Sequence, residues 1–252
     1  MKLIRTVAEK LSRERVLLRH LPKDFDSAPI HVSPDASLSF WNPRLNSDLF
    51  DLARQFVHPG DTIWDIGANV GLFTIAAAHK AAPNGSVLAI EPDPWLAALL
   101  ERTVHAQPST AAPIRIMPVA VSNRIGTETF HIARRNRASS HLASIPEHSQ
   151  AGGTRETLQV QCITLDSLLI QTPPPTLVKI DVEGSEIDLL AGSHRLLSEI
   201  RPILMCESQH RNRPAVTAIL SRYHYKLYDW NTNPRVEVQT AAFNTLAIPI
   251  QA

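Results

Sequence analysis

Four carboxylates in this 252-residue chain lie where α/β proteins commonly bind ligands. Asp65, Glu91, Asp181 and Glu207 each lie at or beside the end of a short apolar run that predicts a buried strand. The carboxyl ends of parallel strands share one edge of a sheet, and ligands bind in the crevice above that edge. We therefore expect these four side chains to converge on one cleft.

The turn after the first apolar run predicts a small-molecule site. Residues 62–66 resemble a buried strand, Gly67 and Gly71 punctuate the turn, and an apolar helix follows. Such a turn directs free backbone N–H groups and the positive end of the helix dipole at a ligand. Asn69 replaces the middle glycine of a dinucleotide fingerprint, which weakens the case for a pyrophosphate. A tight strand-to-helix connection without a ligand is the alternative.

Two carboxylates indicate which ligand this turn would take. Asp65, inside the strand end, fits the ammonium group of an amino acid, and Glu91 can accept hydrogen bonds from both hydroxyls of a ribose. A ligand that combines an amino acid with a ribose is S-adenosylmethionine. The predicted cofactor-binding residues are Asp65, Gly67, Ala68, Asn69, Gly71, Glu91, Ala120 and Asp181.

The elements that must position these residues alternate between strand and helix. Strands are predicted at 62–66, 86–90, 114–121, 176–181 and 202–207, and helices at 45–57, 72–81, from 94 onwards, 186–198 and 214–223. Two further strands, 226–230 and 244–250, are expected to be antiparallel neighbours. The predicted class is α/β, with a Rossmann-like, seven-stranded and mostly parallel sheet that has helices on both faces.

Two segments extend this pattern. Residues 3–21 have the apolar spacing of a helix with a basic remainder, and 38–41 predict a small strand, so 1–44 form a predicted N-terminal extension to a main domain at 45–252. The basic helix is expected either to pack on the domain or to meet a partner or an anionic membrane face. Residues 128–132 and 157–163 alternate polar and apolar side chains, which predicts a β-hairpin-like insertion.

The loop of this insertion is the predicted source of substrate specificity, because loops over a ligand face commonly carry it. Its arginine cluster, which includes Arg134, Arg135 and Arg137, could hold an anionic group of a substrate; a solvated loop is the alternative. The predicted substrate-binding residues are Arg135, Ser140, His141 and, after the fourth strand, Glu183.

Composition narrows the class of protein. The formal net charge of +1 indicates no general affinity for nucleic acid, and two lone thiols, Cys162 and Cys206, argue against a disulfide scaffold and a zinc site. No apolar run approaches the roughly 18 residues of a membrane span, and the N-terminus lacks the apolar core of a signal peptide. We expect a reducing, cytoplasmic setting, and the oligomeric state stays open.

Two blocks of sequence together resemble the FkbM-type methyltransferases. They are DIGANVGLFTI with IEPDP, and VKIDVEGSEIDLLAG with an ILMCE strand, and the resemblance spans about residues 61–207. The KIDVEGSE segment is fairly specific to that family, whereas many methyltransferases share the glycine turn. The resemblance implies S-adenosylmethionine as cofactor on a class I methyltransferase domain. It also implies a small-molecule or glycan acceptor, methylated on a hydroxyl of a sugar, polyketide or other metabolite.

Methyl transfer to a hydroxyl requires orientation and benefits from a general base. Asp181, beside the expected methyl group, is the first candidate, although a turn carboxylate is the alternative. Glu207 and His210, after the fifth strand, are the second candidates. Asp181, Glu183 and Glu207 could also gather a divalent cation, but methyl transfer from a sulfonium does not require one, so no metal is predicted.

Three other functions compete with this prediction. A nicotinamide-dependent oxidoreductase is disfavoured by Asn69 and by the absence of a tyrosine–lysine active pair. A scaffold that kept the fold and lost catalysis is disfavoured by the intact set of four carboxylates. A nucleic-acid methyltransferase is disfavoured because residues 181–184 are Asp-Val-Glu-Gly rather than a proline-rich aromatic tetrad.

Overall fold

The computed structural model describes residues 13–42, 45–145 and 151–250, and within them short apolar runs form fourteen strands in three sheets. The strands are β1 (Leu17–His20), β2 (Pro29–Val32), β3 (Thr62–Ile66), β4 (Ser86–Ile90), β5 (Ile114–Met117), β6 (Ala120–Val121), β7 (Gly126–Ala133), β8 (His141–Leu142), β9 (Thr154–Ile163), β10 (Leu177–Ile180), β11 (Ile203–Glu207), β12 (Tyr225–Asp229), β13 (Val236–Glu237) and β14 (Asn244–Pro249). The α-helices are α1 (Ser47–Phe56), α2 (Leu72–Ala81), α3 (Pro94–His105), α4 (Leu165–Leu168), α5 (Glu186–Ala191) and α6 (Arg213–Arg222).

The central sheet has the strand order β13-β12-β14-β11-β10-β3-β4-β5. The five strands from β11 to β5 are parallel, whereas β14 runs antiparallel to both β11 and β12. The predicted α/β class is therefore confirmed, and so are the antiparallel last strands. The described sheet has eight strands rather than seven because the two-residue β13 pairs with the edge of β12.

Helices cover both faces of this sheet because alternate strand residues are apolar on either side. Ile63 of β3 packs in one core with α1, α2 and α3, whereas Trp64 and Ile66 pack in a second core with α4, α5 and α6. Asp65 shares the face of Ile63, so its side chain is directed at α2. This placement decides which partners the Asp65 carboxylate can reach.

The predicted β-hairpin-like insertion is present and belongs to a four-stranded sheet, which we call the insertion sheet, with the order β6-β9-β7-β8. β7 and β9 pair antiparallel from Gly126 opposite Cys162 to Ala133 opposite Thr154. Phe130 and Ile132 belong to its small apolar core. Because β6 follows β5 directly, the insertion sheet lies beside the carboxyl edge of the central sheet.

Two predictions in the N-terminal segment are wrong. Within the predicted helix at 3–21, Leu17–His20 is a strand that pairs antiparallel with Pro29–Val32, while 1–12 lie outside the described residues. Strand pairing with a distant segment overrides local helical spacing. The strand predicted at 38–41 is a 3₁₀ turn, which Ser37 caps by accepting a hydrogen bond from the Ser39 N–H.

Two predicted elements of the main domain are interrupted. The strand predicted at 114–121 stops at Met117, because Pro118 has no N–H to donate to a neighbouring strand. The chain continues as β6, which pairs in the insertion sheet. The helix predicted at 186–198 ends at Ala191 before Gly192, and a separate turn of π-helix follows at Leu196–Ile200. The other predicted strands and helices agree with the structure to within a few residues.

The predicted extension shares a core with the main domain. Phe25 and Ile30 are fully buried together with Phe50 of α1 and Ile75 of α2. The boundary predicted at residue 44 stays a prediction. Among the helices of the described residues, none has the length and apolar character needed to cross a membrane.

Candidate active site

A cleft opens above the ends of β3, β4 and β10, between them and the insertion sheet. It contains about 630 Å³ of empty space, which includes the open solvent at its mouth. The strand ends contribute apolar side chains together with Gly67, Asn69, Glu91, Asp181 and Glu183. The opposite wall includes Phe130, Arg137, Ala138, Ser140 and Leu142.

The glycine turn between β3 and α2 uses its own backbone N–H groups. Each N–H from 67 to 71 donates a hydrogen bond within the protein. The acceptors are the carbonyls of Ile90 and Ala68 and the side chains of Glu91 and Asn69. The prediction that free N–H groups of this turn point at a ligand is therefore wrong. The turn therefore forms part of the cleft wall, through Gly67 and Asn69, but its own N–H groups are already paired.

Gly67 brings the turn against the end of β10. Its φ is +77°, and a Cβ at this position would lie 1.8 Å from the carbonyl oxygen of Asp181. A side chain would therefore force the two strand ends apart. Ala68 and Gly71, which were also predicted to bind the cofactor, are not among the cleft-lining residues, whereas Asn69 and Ala120 are.

Asp65 is fully buried beneath the turn rather than in the cleft wall. Its carboxylate accepts hydrogen bonds from the Thr74 hydroxyl at 2.6 Å and from Lys179 Nζ at 3.1 Å. Lys179 Nζ also donates to the Gly67 carbonyl at 3.1 Å. Burial lowers the pKa of Lys179, but Asp65 and Asp181 offset that effect and the net shift is upward, so the ammonium stays charged. Contact of Asp65 with the cofactor's ammonium stays a prediction.

Glu91 lies in the cleft wall and also organises the two loops beside it. Its carboxylate accepts from the Asn69 N–H at 2.8 Å and from the Asp93 N–H at 2.9 Å. Burial raises the pKa of Glu91 to about 8, against the opposing effect of these two donors. Each carboxylate oxygen has a second lone pair, so the group can still accept from a hydroxyl. Its role as the ribose acceptor stays a prediction.

Arg137 is the arginine of the insertion that reaches the cleft. It is buried, and its Nη1 donates to both carboxylate oxygens of Asp93, at 2.9 and 2.6 Å. Its Nε donates to Asp35 at 3.4 Å, and its guanidinium lies 4.7 Å from the centroid of the Trp95 ring. The sequence indicated an arginine cluster that includes Arg137 but singled out Arg135, because the partners of Arg137 lie 44 and 102 residues away.

The predicted substrate residues are dispersed. Ser140 and Glu183 line the cleft, but His141 is buried outside its lining, with its ring in edge contact with His131. Arg135 is exposed and lies against Gly152. The structure does not bring Arg135 and His141 to the cleft wall, because the 3₁₀ turn at 137–139 directs Arg137 inwards instead.

Asp181 and Glu183 form the acidic side of the cleft at the end of β10. The Asp181 carboxylate is 34% exposed and lies 3.8 Å from Lys179 Nζ. Burial raises the pKa of Asp181, and the positive charge of Lys179 opposes that shift. Burial and the neighbouring carboxylates raise the pKa of Glu183 well above its usual value. This side of the cleft therefore favours a cationic ligand.

Asp181 also lines a second space, which we call the inner cavity, between α1 and the ends of β10 and β11. Glu207 lines this cavity, and burial together with Asp181 raises its pKa to about 8. His210 is exposed and lines a different depression, beside Arg213 and Phe243. The sequence placed His210 in the cleft beside the carboxylates. His210 instead lines neither the cleft nor the inner cavity, because the chain turns away after β11.

The residues present fit S-adenosyl-L-methionine. The cleft joins apolar side chains, among them Ile90, Leu96 and Val119, to three carboxyl groups. This combination suits a nucleoside with two hydroxyls and a positively charged sulfonium. Glu91, Asn69, Gly67 and Asp181 would hold it. Among the described residues, no group of three or more His, Cys, Asp or Glu side chains is arranged to hold a metal ion.

Comparisons with known proteins agree with this geometry. The sequence model of the Methyltransferase FkbM domain matches residues 65–230. The Hexuronic acid methyltransferase AglP of Haloferax volcanii is 27% identical over 164 residues, which cover 64% of this chain and 62% of that protein. A crystal structure of Methyltransferase FkbM from Methylobacillus flagellatus KT has a TM-score of 0.51 at 16% identity and covers 98% of this chain and 59% of that one. This chain therefore matches less than two thirds of either protein's length.

The fold is that of a class I methyltransferase. The chain belongs to the FkbM methyltransferase family, as its motifs suggested, and its cofactor is S-adenosyl-L-methionine. The predicted methyltransferase class and cofactor are thereby confirmed, and the oxidoreductase alternative is not retained.

Proposed function

We propose that this protein is an O-methyltransferase that methylates a hydroxyl of a sugar or another small metabolite, with Asp181 as general base. The observation that carries the proposal is the position of Asp181, which lines both the cleft and the inner cavity. Asp181 therefore borders both spaces. The name of the Haloferax volcanii relative, a hexuronic acid methyltransferase, supports a sugar as acceptor.

Methyl transfer to a hydroxyl requires the protein to orient the two reactants and to remove one proton. S-adenosyl-L-methionine, when bound, supplies a methyl group that its sulfonium has already activated. A hydroxyl is a weak nucleophile near neutral pH, so a base that takes its proton contributes about 10²–10⁴-fold in rate. Asp181 suits this role because burial raises its pKa, which makes it a stronger base than an exposed carboxylate.

The neighbours of Asp181 support the same assignment. Lys179 Nζ, 3.8 Å away, keeps positive charge beside the carboxylate and favours its ionised form before the proton is taken. Because a third of the Asp181 side chain is exposed, the proton can pass to water afterwards. Glu207, in the inner cavity, is the second candidate base, since its pKa of about 8 is close to the working range of a general base.

The proposal is tested by finding which atom of an acceptor becomes methylated. The purified protein is incubated with S-adenosyl-L-methionine carrying ¹³C in the methyl group and a panel of alcohols, sugars, amines and carboxylic acids. We expect the label in NMR spectra of the products at a chemical shift typical of an ether methyl group. Label on nitrogen, on carbon or on a carboxylate oxygen would contradict the proposal.

A further inference from the structure

The inner cavity adjoins a larger outer cavity on the surface. Asp48 and Trp230 line both, as Asp181 lines both the cleft and the inner cavity. The three spaces are therefore neighbours: Asp181 borders the first two, and Asp48 and Trp230 border the second and third. We call the inner and outer cavities together the acceptor groove. Their empty spaces are about 320 and 930 Å³, including open solvent.

One wall of the acceptor groove is a face of α1. Asp48, Asp51 and Gln55 are spaced at i, i+3 and i+7, so they share that face. Asp48 and Gln55 are separated by about 10 Å along the helix axis, which is longer than one sugar ring. These three residues precede residue 65 and so lie outside the segment that matches the family model.

The opposite wall joins an aromatic ring to hydrogen-bonding groups. Trp230 is half-buried, with its ring centroid 6.1 Å from that of Phe56 and 4.4 Å from the Arg235 guanidinium. Arg235 in turn donates to the Gln55 side chain across the groove. Asn231 and Asn244 contribute amide groups. Arg235 covers one face of the indole ring, and the part of Trp230 that still lines the outer cavity lies among amides and carboxylates. A sugar has apolar ring faces and polar edges, and this combination matches both.

The charges of the acceptor groove disfavour an anionic ligand. Asp48, Asp51, Asp181 and Glu207 line it, whereas Lys179 and Arg235 are its basic groups among the lining residues. Lys179 is already paired with Asp65. Repulsion from Asp181 contributes to the raised pKa of Glu207, so a second negative charge beside Asp181 has a cost in free energy. Another carboxylate in this space would raise that cost.

We propose, on the basis of the proposed methyl transfer, that the acceptor groove binds an oligosaccharide of at least two units and selects an uncharged sugar over a hexuronic acid. The unit to be methylated lies in the inner cavity beside Asp181, and the next units lie against Trp230 and α1. Asp48, at the junction of the two cavities, is the specificity-determining residue.

The test uses matched pairs of acceptors. Uncharged oligosaccharides of two to four units are compared with the same compounds oxidised at C6 of the terminal unit, which changes a hydroxymethyl group into a carboxylate. Methyl transfer from S-adenosyl-L-methionine is followed for each pair, and calorimetry with the cofactor shows that each variant is folded. We expect kcat/KM for the uncharged member to be at least tenfold higher, the effect of about one unit charge at close range.

Two substitutions assign the preference to the groove. We expect Asp48→Asn to reduce the preference several-fold, and Trp230→Leu to raise KM for the oligosaccharide at least fivefold without changing cofactor affinity. Glu101→Gln and Phe243→Ala are the matched controls, because both residues are exposed and neither lines the groove. Both controls should behave as wild type.

The possible outcomes separate this inference from the proposed function. Equal use or preference of the oxidised sugars, or an oligosaccharide KM unaffected by Trp230→Leu, overturns the groove assignment and leaves O-methylation intact. Methylation of a non-saccharide hydroxyl, with no transfer to any sugar, likewise overturns the groove assignment and leaves O-methylation intact. Transfer of the methyl group to a sugar nitrogen overturns the proposed function instead.

Discussion

Replacing Arg137 with methionine should sharply lower the free energy of unfolding, because Arg137 neutralises a carboxylate that solvent cannot reach. The Arg137 side chain is 7% exposed and that of Asp93 is 1% exposed. The substitution removes the hydrogen bonds at 2.9 and 2.6 Å and leaves Asp93 buried with the Trp95 N–H as its remaining hydrogen-bond donor from the helix terminus. Breaking one partner of a buried ion pair costs about 3–5 kcal/mol.

That loss is a large share of the roughly 5–15 kcal/mol that stabilises a typical domain. The loss of Arg137 should destabilise the Asp35 carboxylate less than that of Asp93, because Arg155 Nη1 and Nη2 still donate to Asp35 at 3.1–3.2 Å. The assay is urea unfolding followed by circular dichroism, with the cofactor absent. Arg195→Met is the matched control: its ion pair with Glu199 has side chains 51% and 54% exposed, and such surface pairs contribute about 0–1 kcal/mol.

Adding Asp93→Asn to Arg137→Met should recover part of the loss, because the uncompensated charge is removed. The reasoning is refuted if Arg137→Met costs no more than Arg195→Met, or if the double variant is less stable than Arg137→Met alone. The first outcome would mean that water reaches Asp93. The second would mean that Asp93 is stabilised by contacts other than Arg137.

Three further predictions concern the cleft. Glu91→Ala should weaken S-adenosyl-L-methionine binding by about 1–3 kcal/mol in calorimetry, since hydroxyl donors lose a carboxylate acceptor; unchanged affinity would remove the ribose assignment. Gly67→Ala should abolish cofactor binding or folding, because the new Cβ would lie 1.8 Å from the Asp181 carbonyl oxygen. Gly60→Ala is the control, because Gly60 has a φ of +93° but no atom within 4 Å of an added Cβ. It should lower the free energy of unfolding in urea by only about 1–2 kcal/mol, the cost of backbone strain. The free energy of unfolding should fall as pH rises from about 5 through 8, because the folded state raises the pKa of Glu91 and Glu207 to about 8 and so holds protons that the unfolded chain releases. Urea midpoints measured from pH 5 to 9 test this, and Glu91→Gln should flatten the slope; stability that rises over this range would contradict the burial of these carboxyl groups.

The strand-and-helix framework could be predicted from sequence because its signals are local. The apolar run 62–66 followed by Gly67 and Gly71 specifies β3, its turn and α2. Of the four carboxylates expected in one cleft, Glu91 and Asp181 line it, whereas Asp65 is buried beneath the turn and Glu207 lines the inner cavity. Strand pairing at the N-terminus was not predictable in this way. Residues 3–21 have helical apolar spacing, but the conformation of Leu17–His20 is decided by pairing with Pro29–Val32.

The details of the site depend on contacts between distant residues, which leave no local signal. Arg135 and Arg137 are alike in sequence, yet only Arg137 meets Asp93 and Asp35. Strand alternation directs Asp65 at α2, where the Thr74 hydroxyl donates to it, and its contact with the cofactor stays a prediction. Asp48 was not singled out, because α1 meets the end of β10 only in the folded protein. Lys179, a charged residue in an otherwise apolar strand, was the visible hint of a buried ion pair.

The most direct test of the central claim compares wild type with Asp181→Asn in single-turnover methyl transfer and in cofactor binding. The substitution keeps the size of the side chain and removes its ability to take a proton. We predict that the Kd for S-adenosyl-L-methionine changes by less than about threefold, while the rate of methyl transfer falls by about 10²–10⁴-fold. A wild-type rate with intact cofactor binding would contradict the assignment of Asp181 as the base that acts on an acceptor hydroxyl.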